Sequence, residues 1–440
     1  MTAGTTLSHR GHELAAPTGF AEKFKSILGN PYDPDTNPDG FVDIGTAENH
    51  VMLPDAAKFL QDNPLELSKQ NFSYGEGPWG NQRLRKAMAG HLNRYLKPLE
   101  TIQPDDLHFG NGCTALCEML GFTLFDEGDG ILFTQPVYQG FPLDFGSKAK
   151  VKCVYVPFHD VDQFSPSCIP KYEAALSAAT AAGTRIRALM LCHPHNPLGQ
   201  PYPIPTLIAI MKFCNTHRIH LISDEIYALS VYSVPNASFS DHIPFHSVLS
   251  LPYKDHIDPD LLHVMYGMSK DLAGGGLRLG CLFIKNKELK RGMDAINQFH
   301  WPGIADVLIA TKMLEDVPWM HNFVATSRKR LAQNNAIARE LLASKNIPFS
   351  TKSNAGFFLW VDLRDRLPKT NGEGKRLEGV ERERELGERF FGNMVNVVPG
   401  EAMAAEEVGF WRVVFSQDER VLREGLRRMF EVLEGVEGEK

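Results

Sequence analysis

No stretch of eighteen apolar residues occurs in the 440-residue chain, which argues against a membrane-spanning helix. The first sixteen residues are polar and hold no apolar signal core, so the chain is expected in the cytoplasm. Cysteine is scarce: seven scattered residues, an odd number, with no CxxC pair and no zinc spacing. Cys113 and Cys117 are four apart without a second pair or a histidine cluster. They read as buried thiols in a reducing compartment, and no metal is expected. Positive charge is not in excess. With 46 Lys and Arg against 53 Asp and Glu, the net charge of -7 argues against a nucleic-acid or anionic-membrane surface. There is no internal repeat and no long low-complexity tract. The 43% hydrophobic and 22% charged content is that of an ordinary globular chain, long enough for two or three domains.

Up to about residue 290, short apolar runs alternate with helical patterns. The runs are 131–134, 151–157, 186–192, 219–222, 262–266 and 281–284, with helical stretches such as 171–182 and 205–217 between them. Such alternation predicts an α/β fold with a mostly parallel central sheet flanked by helices. Upstream, 1–17 reads as a loose arm and 18–28 as a short helix. The stretch 30–40 reads as loop, 41–44 as a short strand, and 81–96 as a helix after a glycine-rich turn. After residue 310 helices dominate, as at 319–342, with two apolar runs at 357–361 and 411–415. A charged segment, 369–384, reads as a solvated loop entering a helix. This half predicts a smaller α+β domain. The expected division is 1–65 for the arm and part of the small domain, 66–310 for the large domain, and 311–440 for the small domain.

Reactive side chains cluster at the ends of the apolar runs. Lys270 follows the run 261–265 within Ser269-Lys270-Asp271-Leu272-Ala273-Gly274-Gly275-Gly276-Leu277-Arg278. A lysine at the end of a buried strand is costly unless the fold uses it. The glycines allow close backbone approach, and Arg278 can fork onto a phosphate. Alone, this stretch is equally well a surface turn with an ordinary Lys and Arg. Asp224 and Tyr227 follow a second run, and Asn196 a third. Gly110-Asn111-Gly112-Cys113-Thr114 is a glycine turn that opens a helix, whose free N–H groups make an anion site. Arg412 lies inside the apolar run 410–415, where an arginine needs a partner, and a carboxylate is a suitable one.

In this order, the motifs resemble the fold-type I, pyridoxal-phosphate-dependent enzymes of the class I/II aminotransferase family. Within it they look most like the 1-aminocyclopropane-1-carboxylate synthase branch. The resemblance runs from about Leu7 to the Arg412 motif. It implies that Lys270 is the amine that holds pyridoxal phosphate, and that Lys270, Tyr227 and Asp224 form the catalytic set. The phosphate would lie on Gly112, Cys113, Thr114, Ser269 and Arg278, with Tyr74 reaching in from a second chain of a homodimer. Asp224 would keep the pyridine nitrogen protonated, Asn196 and Tyr227 would donate to the phenolic oxygen, and Tyr138 would stack on the ring. Arg412 would hold the substrate α-carboxylate. Glu48, in Gly45-Thr46-Ala47-Glu48-Asn49, would face the entrance, and Asn354-Ala355-Gly356 matches a motif on the same side. Each residue also has a plainer role open to it: Asp224 as a cap, Asn196 and Tyr227 as satisfied turn or core residues, Tyr138 as a core aromatic, Glu48 as an acid at a helix start. His193 and His195, flanking Pro194, are expected to bear on substrate choice.

The expected reaction is synthase-like loss of a leaving group at Cγ, by ring closure or by elimination, from S-adenosylmethionine or a related substrate. The alternative is transfer of an amino group to a 2-oxo acid, and a third reading is a non-catalytic protein of the same fold. Residues 299–306 lack the serine-rich segment usual in the synthase branch, so substrate scope is expected to have diverged.

Overall fold

The computed structural model describes residues 6–16, 19–235 and 242–438. In chain order its strands are β1 (Val42–Asp43), β2 (Leu107–Gly110), β3 (Gly130–Thr134), β4 (Lys152–Val156), β5 (Ile186–Cys192), β6 (His220–Asp224), β7 (Leu262–Gly267), β8 (Gly280–Ile284), β9 (Phe358–Asp362), β10 (Val395–Asn396), β11 (Val398–Pro399) and β12 (Phe410–Val414).

Seven strands form the central sheet in the order β2-β8-β7-β6-β5-β3-β4. The pairs β4–β3, β3–β5, β5–β6 and β6–β7 are parallel. Their apolar runs are nearly continuous because helices cover both faces. Side chains alternate between those faces. Leu189 and Leu191 of β5 join the layer of helices Gln82–Leu96 and Ile204–His217. Ala188, Met190 and Cys192 join the layer of Cys113–Leu124 and Phe141–Gly146. β8 runs antiparallel to both β7 and β2. The connection from β7 to β8 carries no α-helix to lay along the sheet, so the chain turns straight back.

A separate core gathers both ends of the chain. Val42 and Ile44 pack with Leu359 and Val361 of β9, Val413 of β12, and Leu422 and Leu426 of the helix Glu419–Gly438. β1 pairs with β10, and β11-β12-β9 form an antiparallel sheet. Helices Val317–Ser344 and Val380–Gly392 complete this part.

Most expected elements are present, displaced by a residue or two. Two differ in kind. β2 lies within a stretch expected to be only turn and helix start. The arm contains a helix, His9–Leu14, capped by the Ser8 side chain. The helix expected at 18–28 is Gly19–Gly29. Residues 1–5 and 17–18 of those two expectations lie outside the described residues.

Candidate active site

The carboxyl ends of the parallel strands converge on one point, as open α/β sheets do where they bind ligands. Asp224 ends β6, Lys270 comes three residues after β7, Asn196 four after β5, and Tyr138 four after β3. On the same side, helix Cys113–Leu124 begins after Gly112, whose φ of 87° and ψ of 169° only glycine adopts readily. A methyl group on Gly112 would lie 2.5 Å from Nη2 of Arg278. One on Gly280 would lie 2.8 Å from the Gly112 carbonyl carbon and 2.9 Å from the Cys113 nitrogen. Two backbones and a guanidinium are thus pressed together at the helix start.

An inner cavity of about 110 Å³ opens there, and its walls include Cys113, Thr114, Asp224, Tyr227, Ser269 and Arg278. Lys270, Tyr138 and Asn196 line it as well. A second, outer cavity of about 540 Å³ shares Lys270 and Tyr138 with the first and also contains Arg412. The two chambers therefore meet at the lysine.

Burial, and next the Arg412 charge, lower the Lys270 amine to about 8; its Nζ donates to the Ala47 carbonyl at 2.6 Å. Asn49 Nδ2 fixes the same loop through the Lys270 carbonyl at 3.2 Å. Burial pushes the Asp224 carboxyl up to about 7, against a 3.2 Å bond from the Ile226 N–H. Arg412, in β12, is 1% exposed. Its Nη1 donates to Asn196 Oδ1 at 3.0 Å and its Nη2 to the Gly45 carbonyl at 2.8 Å, while Nε has no partner. The acceptors it holds are both neutral, and burial lowers its pKa. The Tyr227 ring stands edge-on to Phe357 and Phe358 at 5.1 and 5.5 Å. Tyr138 is half-buried, its hydroxyl pushed up to about 12 by burial. Arg278 is exposed, with Nη1 on the Gly275 carbonyl at 3.0 Å. Glu48 is half-exposed, 3.3 Å from His50 Nε2, and that contact holds its carboxyl below the usual range.

Tyr74 stands apart from both cavities, 86% exposed, with its ring 5.6 Å from that of Trp301. Asn354 lines neither cavity and instead donates to the Ile243 carbonyl at 2.9 Å. The expectation for His193 and His195 is corrected. Both are buried and spend their ring nitrogens within the protein. His193 accepts from the Tyr202 N–H at 3.1 Å and lies 2.9 Å from the His246 carbonyl. His195 accepts from Leu198 N–H at 3.3 Å and lies 3.1 Å from Thr134 Oγ1. Burial drives them to about 4 and 3 respectively, so both are neutral struts of the Asn196 loop. Sequence reasoning missed Asp144. It lines the inner cavity, is hydrogen-bonded to the Thr114 hydroxyl, and is pushed up to about 7 by burial. Among the described residues, no group of three or more His, Cys, Asp or Glu could hold a metal ion.

The model of the family "aminotransferase class I and II" matches residues 43–429. The chain belongs to that family. Its members are typically pyridoxal-phosphate enzymes that act on amino acids, usually as dimers. A probable aminotransferase of Aspergillus fumigatus is 32% identical over 410 residues, covering 91% of this chain and 90% of that one. The 1-aminocyclopropane-1-carboxylate synthase of Glycine max is 29% identical, covering 95% and 85%. A probable inactive 1-aminocyclopropane-1-carboxylate synthase-like protein 2 of Mus musculus is also 29% identical, covering 98% and 72%. Among solved structures, an aspartate aminotransferase double mutant of Thermus thermophilus superposes with a TM-score of 0.73 at 20% identity, covering 98% and 100%. That likeness concerns the fold. No helix among the described residues is long and apolar enough to cross a membrane.

Proposed function

We propose that this chain is a cytoplasmic, homodimeric pyridoxal-phosphate enzyme that carries out elimination at Cγ, with ring closure, on S-adenosylmethionine or a related sulfonium amino acid. In this reading 66–310 is the cofactor domain, 311–440 the small domain, and 1–65 an arm that adds to the latter. The residues present fit the cofactor. The glycine-only cradle at Gly112 beside Arg278 suits a phosphate, and the raised Asp224 carboxyl suits a protonated pyridine nitrogen. When bound, pyridoxal phosphate supplies an aldehyde for an amine and a ring that accepts the electrons of a broken Cα bond.

The chain's own groups do the rest. Lys270 Nζ, lowered to about 8, is neutral often enough near pH 8 to attack a carbonyl and to take up the Cα proton. Arg412 would receive the α-carboxylate on its fork, exchanging neutral acceptors for a charged one. Asn196 and Tyr227 would donate to the phenolic oxygen, and Tyr138 would offer its ring face. Gly112, Cys113, Thr114, Ser269 and Arg278 would hold the phosphate, with Tyr74 of the second chain. The 86% exposure of Tyr74, away from its own cavities, supports that last role.

The observation that carries the sulfonium reading is Glu48. Its carboxylate feels the charge of Lys270, and its Oε1 lies 3.5 Å from where a Gly275 side chain would begin. Glu48 lines neither cavity, and from the loop beside Lys270 its carboxylate would attract a cationic substrate and repel a dicarboxylate. Glu48→Gln should raise the KM for S-adenosylmethionine and leave the absorption of bound cofactor unchanged. Incubation with S-adenosylmethionine, and separately with amino acids plus 2-oxoglutarate, followed by mass spectrometry, decides the reaction. Amino-group transfer without conversion of any sulfonium compound would refute the elimination. Transamination is the second reading, favoured by the 32% identical probable aminotransferase and by the divergent segment 299–306.

A further inference from the structure

The outer cavity is far larger than a small amino acid needs. Its 540 Å³ falls among sites for ligands of many heavy atoms. It runs away from Lys270 and Arg412 into a gap between helix Gly19–Gly29 and helix Val380–Gly392. Phe24 and Ile27 face it from the first helix, Phe390 and Phe391 from the second, with Val397 and Trp411 beyond. The aromatic wall is braced from behind: Phe390 meets Trp411 edge-on at 5.1 Å, and Phe391 packs on Phe41 at 4.7 Å.

The outer-wall cations Lys23 and Arg384 are already matched. Lys23 Nζ lies 2.7 Å from Glu388 Oε1 and 5.3 Å above the Phe391 ring. Arg384 Nε donates to Glu401 Oε2 at 2.9 Å. Glu383, fully buried, accepts the backbone N–H of Glu401 at 2.7 Å and that of Gly409. A second carboxylate placed here would lose water and find Lys23 and Arg384 already paired. An aromatic or other large apolar group would lose only unfavourable hydration and gain ring contacts.

We infer that the outer cavity selects α-amino acids whose side chain ends in a large, flat ring system and excludes those with a distal carboxylate, with Phe24, Ile27 and Phe391 as the specificity-determining residues. This rests on the amino-acid reading above and names the substrate class for it. The distal group can be the base of a nucleoside, as in S-adenosylmethionine, or the ring of an aromatic amino acid. The shared chemistry is a planar ring face some distance from Cα.

The test is equilibrium binding to the loaded protein, read from the absorption shift of bound cofactor and from calorimetry. The ligands are S-adenosylmethionine, L-tryptophan, L-alanine, L-aspartate and L-glutamate. At least one of the first two should bind about tenfold or more tightly than L-alanine, since a single methylene in an apolar pocket is worth about that much. Which of the two does so distinguishes the nucleoside from the ring. L-Aspartate and L-glutamate should bind more weakly than L-alanine. Phe391→Ala should cut the ratio of large-ligand to L-alanine affinity by about tenfold. Phe24→Ala, on a more exposed residue, should lower the same ratio and serves if Phe391→Ala fails to fold. If amino acids bind but the dicarboxylates match or exceed the aromatic ligands, the inference is overturned and the amino-acid reading stands. If no amino acid shifts the absorption or gives heat, both fall together.

Discussion

Gly112→Ala separates two effects that meet at the helix start. The first is backbone strain. At φ 87° and ψ 169°, glycine occupies a region that costs other residues about 1–3 kcal/mol. The second is displacement. The new methyl would lie 2.5 Å from Arg278 Nη2 and 3.1 Å from its Cζ, so one of the two must move. The guanidinium is the far end of an exposed, flexible side chain and will yield before the helix does. It would then lose its 3.0 Å bond to the Gly275 carbonyl and its place over the anion site. A charge-assisted hydrogen bond contributes about 1.5–3 kcal/mol, so affinity for a phosphate there should fall about 10- to 100-fold. Arg278→Ala carries only the second effect. Hence Gly112→Ala should lower the melting temperature of the cofactor-free protein and Arg278→Ala should leave it nearly unchanged. Both should weaken pyridoxal 5'-phosphate far more than pyridoxal, measured by quenching of intrinsic fluorescence. If Gly112→Ala melts like the wild type and binds the phosphate ester equally well, the cradle is misread. If pyridoxal loses as much as its phosphate ester, the anion site lies elsewhere.

Four further outcomes are expected. Borohydride treatment of the loaded protein should leave cofactor on the peptide containing Lys270, and Lys270→Ala should abolish that label. Reloading of the cofactor-free protein should accelerate with pH through about 8, as the lowered amine loses its proton; a midpoint near the ordinary lysine value would contradict the burial argument. Because burial raises the folded-state pKa of Asp224 to about 7, its ionised form destabilises the cofactor-free fold above that pH, and the penalty vanishes as pH falls toward 4. Asp224→Asn should therefore stabilise the cofactor-free protein at pH 8 and not at pH 4, yet impair turnover of the loaded one; unchanged turnover would remove its role. Mixing Tyr74→Phe with Lys270→Ala should restore part of the activity in hybrid dimers, and an active monomer in sedimentation would rule out the shared site.

The strand ends were legible because they obey a local rule. A polar residue closing a continuous apolar run, as Asp224 does β6, marks the carboxyl end of a buried parallel strand whatever lies elsewhere in the chain. The outer cavity obeys no such rule. Phe24 and Phe391 are more than 360 positions apart, and each looks like an apolar residue on an amphipathic surface helix until the two helices face each other. Asp144 was hidden for a similar reason. In sequence it is an acid in the first turn of a short helix, a favourable position by itself, and only packing brings it to Thr114. His193 and His195 misled in the opposite sense. Their neighbours in sequence suggested a site, whereas their neighbours in space are backbone groups and the Thr134 hydroxyl, which use up both rings.

The inner groups share one feature that separates a working site from an emptied fold. Lys270 is lowered and Asp224 is raised, both toward neutrality, and the buried Arg412 guanidinium has two neutral acceptors and an unpaired Nε. Each is a local cost, and the mutual attraction of Lys270 and Asp224 offsets only part of it. Asp224 would be relieved by a cation, Arg412 by an anion, and Lys270 by conversion to an uncharged nitrogen. A protonated pyridine ring, an amino-acid carboxylate and a carbonyl would meet those needs at the three points the structure brings together. A fold that had lost its chemistry would gain stability by replacing such groups with apolar or self-paired ones, since nothing would bind to compensate their burial. Lys270→Met tests this directly. In the cofactor-free protein it should raise the melting temperature, while in the presence of pyridoxal 5'-phosphate the wild type should gain more stability from the ligand than the variant does. Equal ligand-induced stabilisation of the two proteins would mean that Lys270 takes no part in holding the cofactor, and would favour the non-catalytic reading.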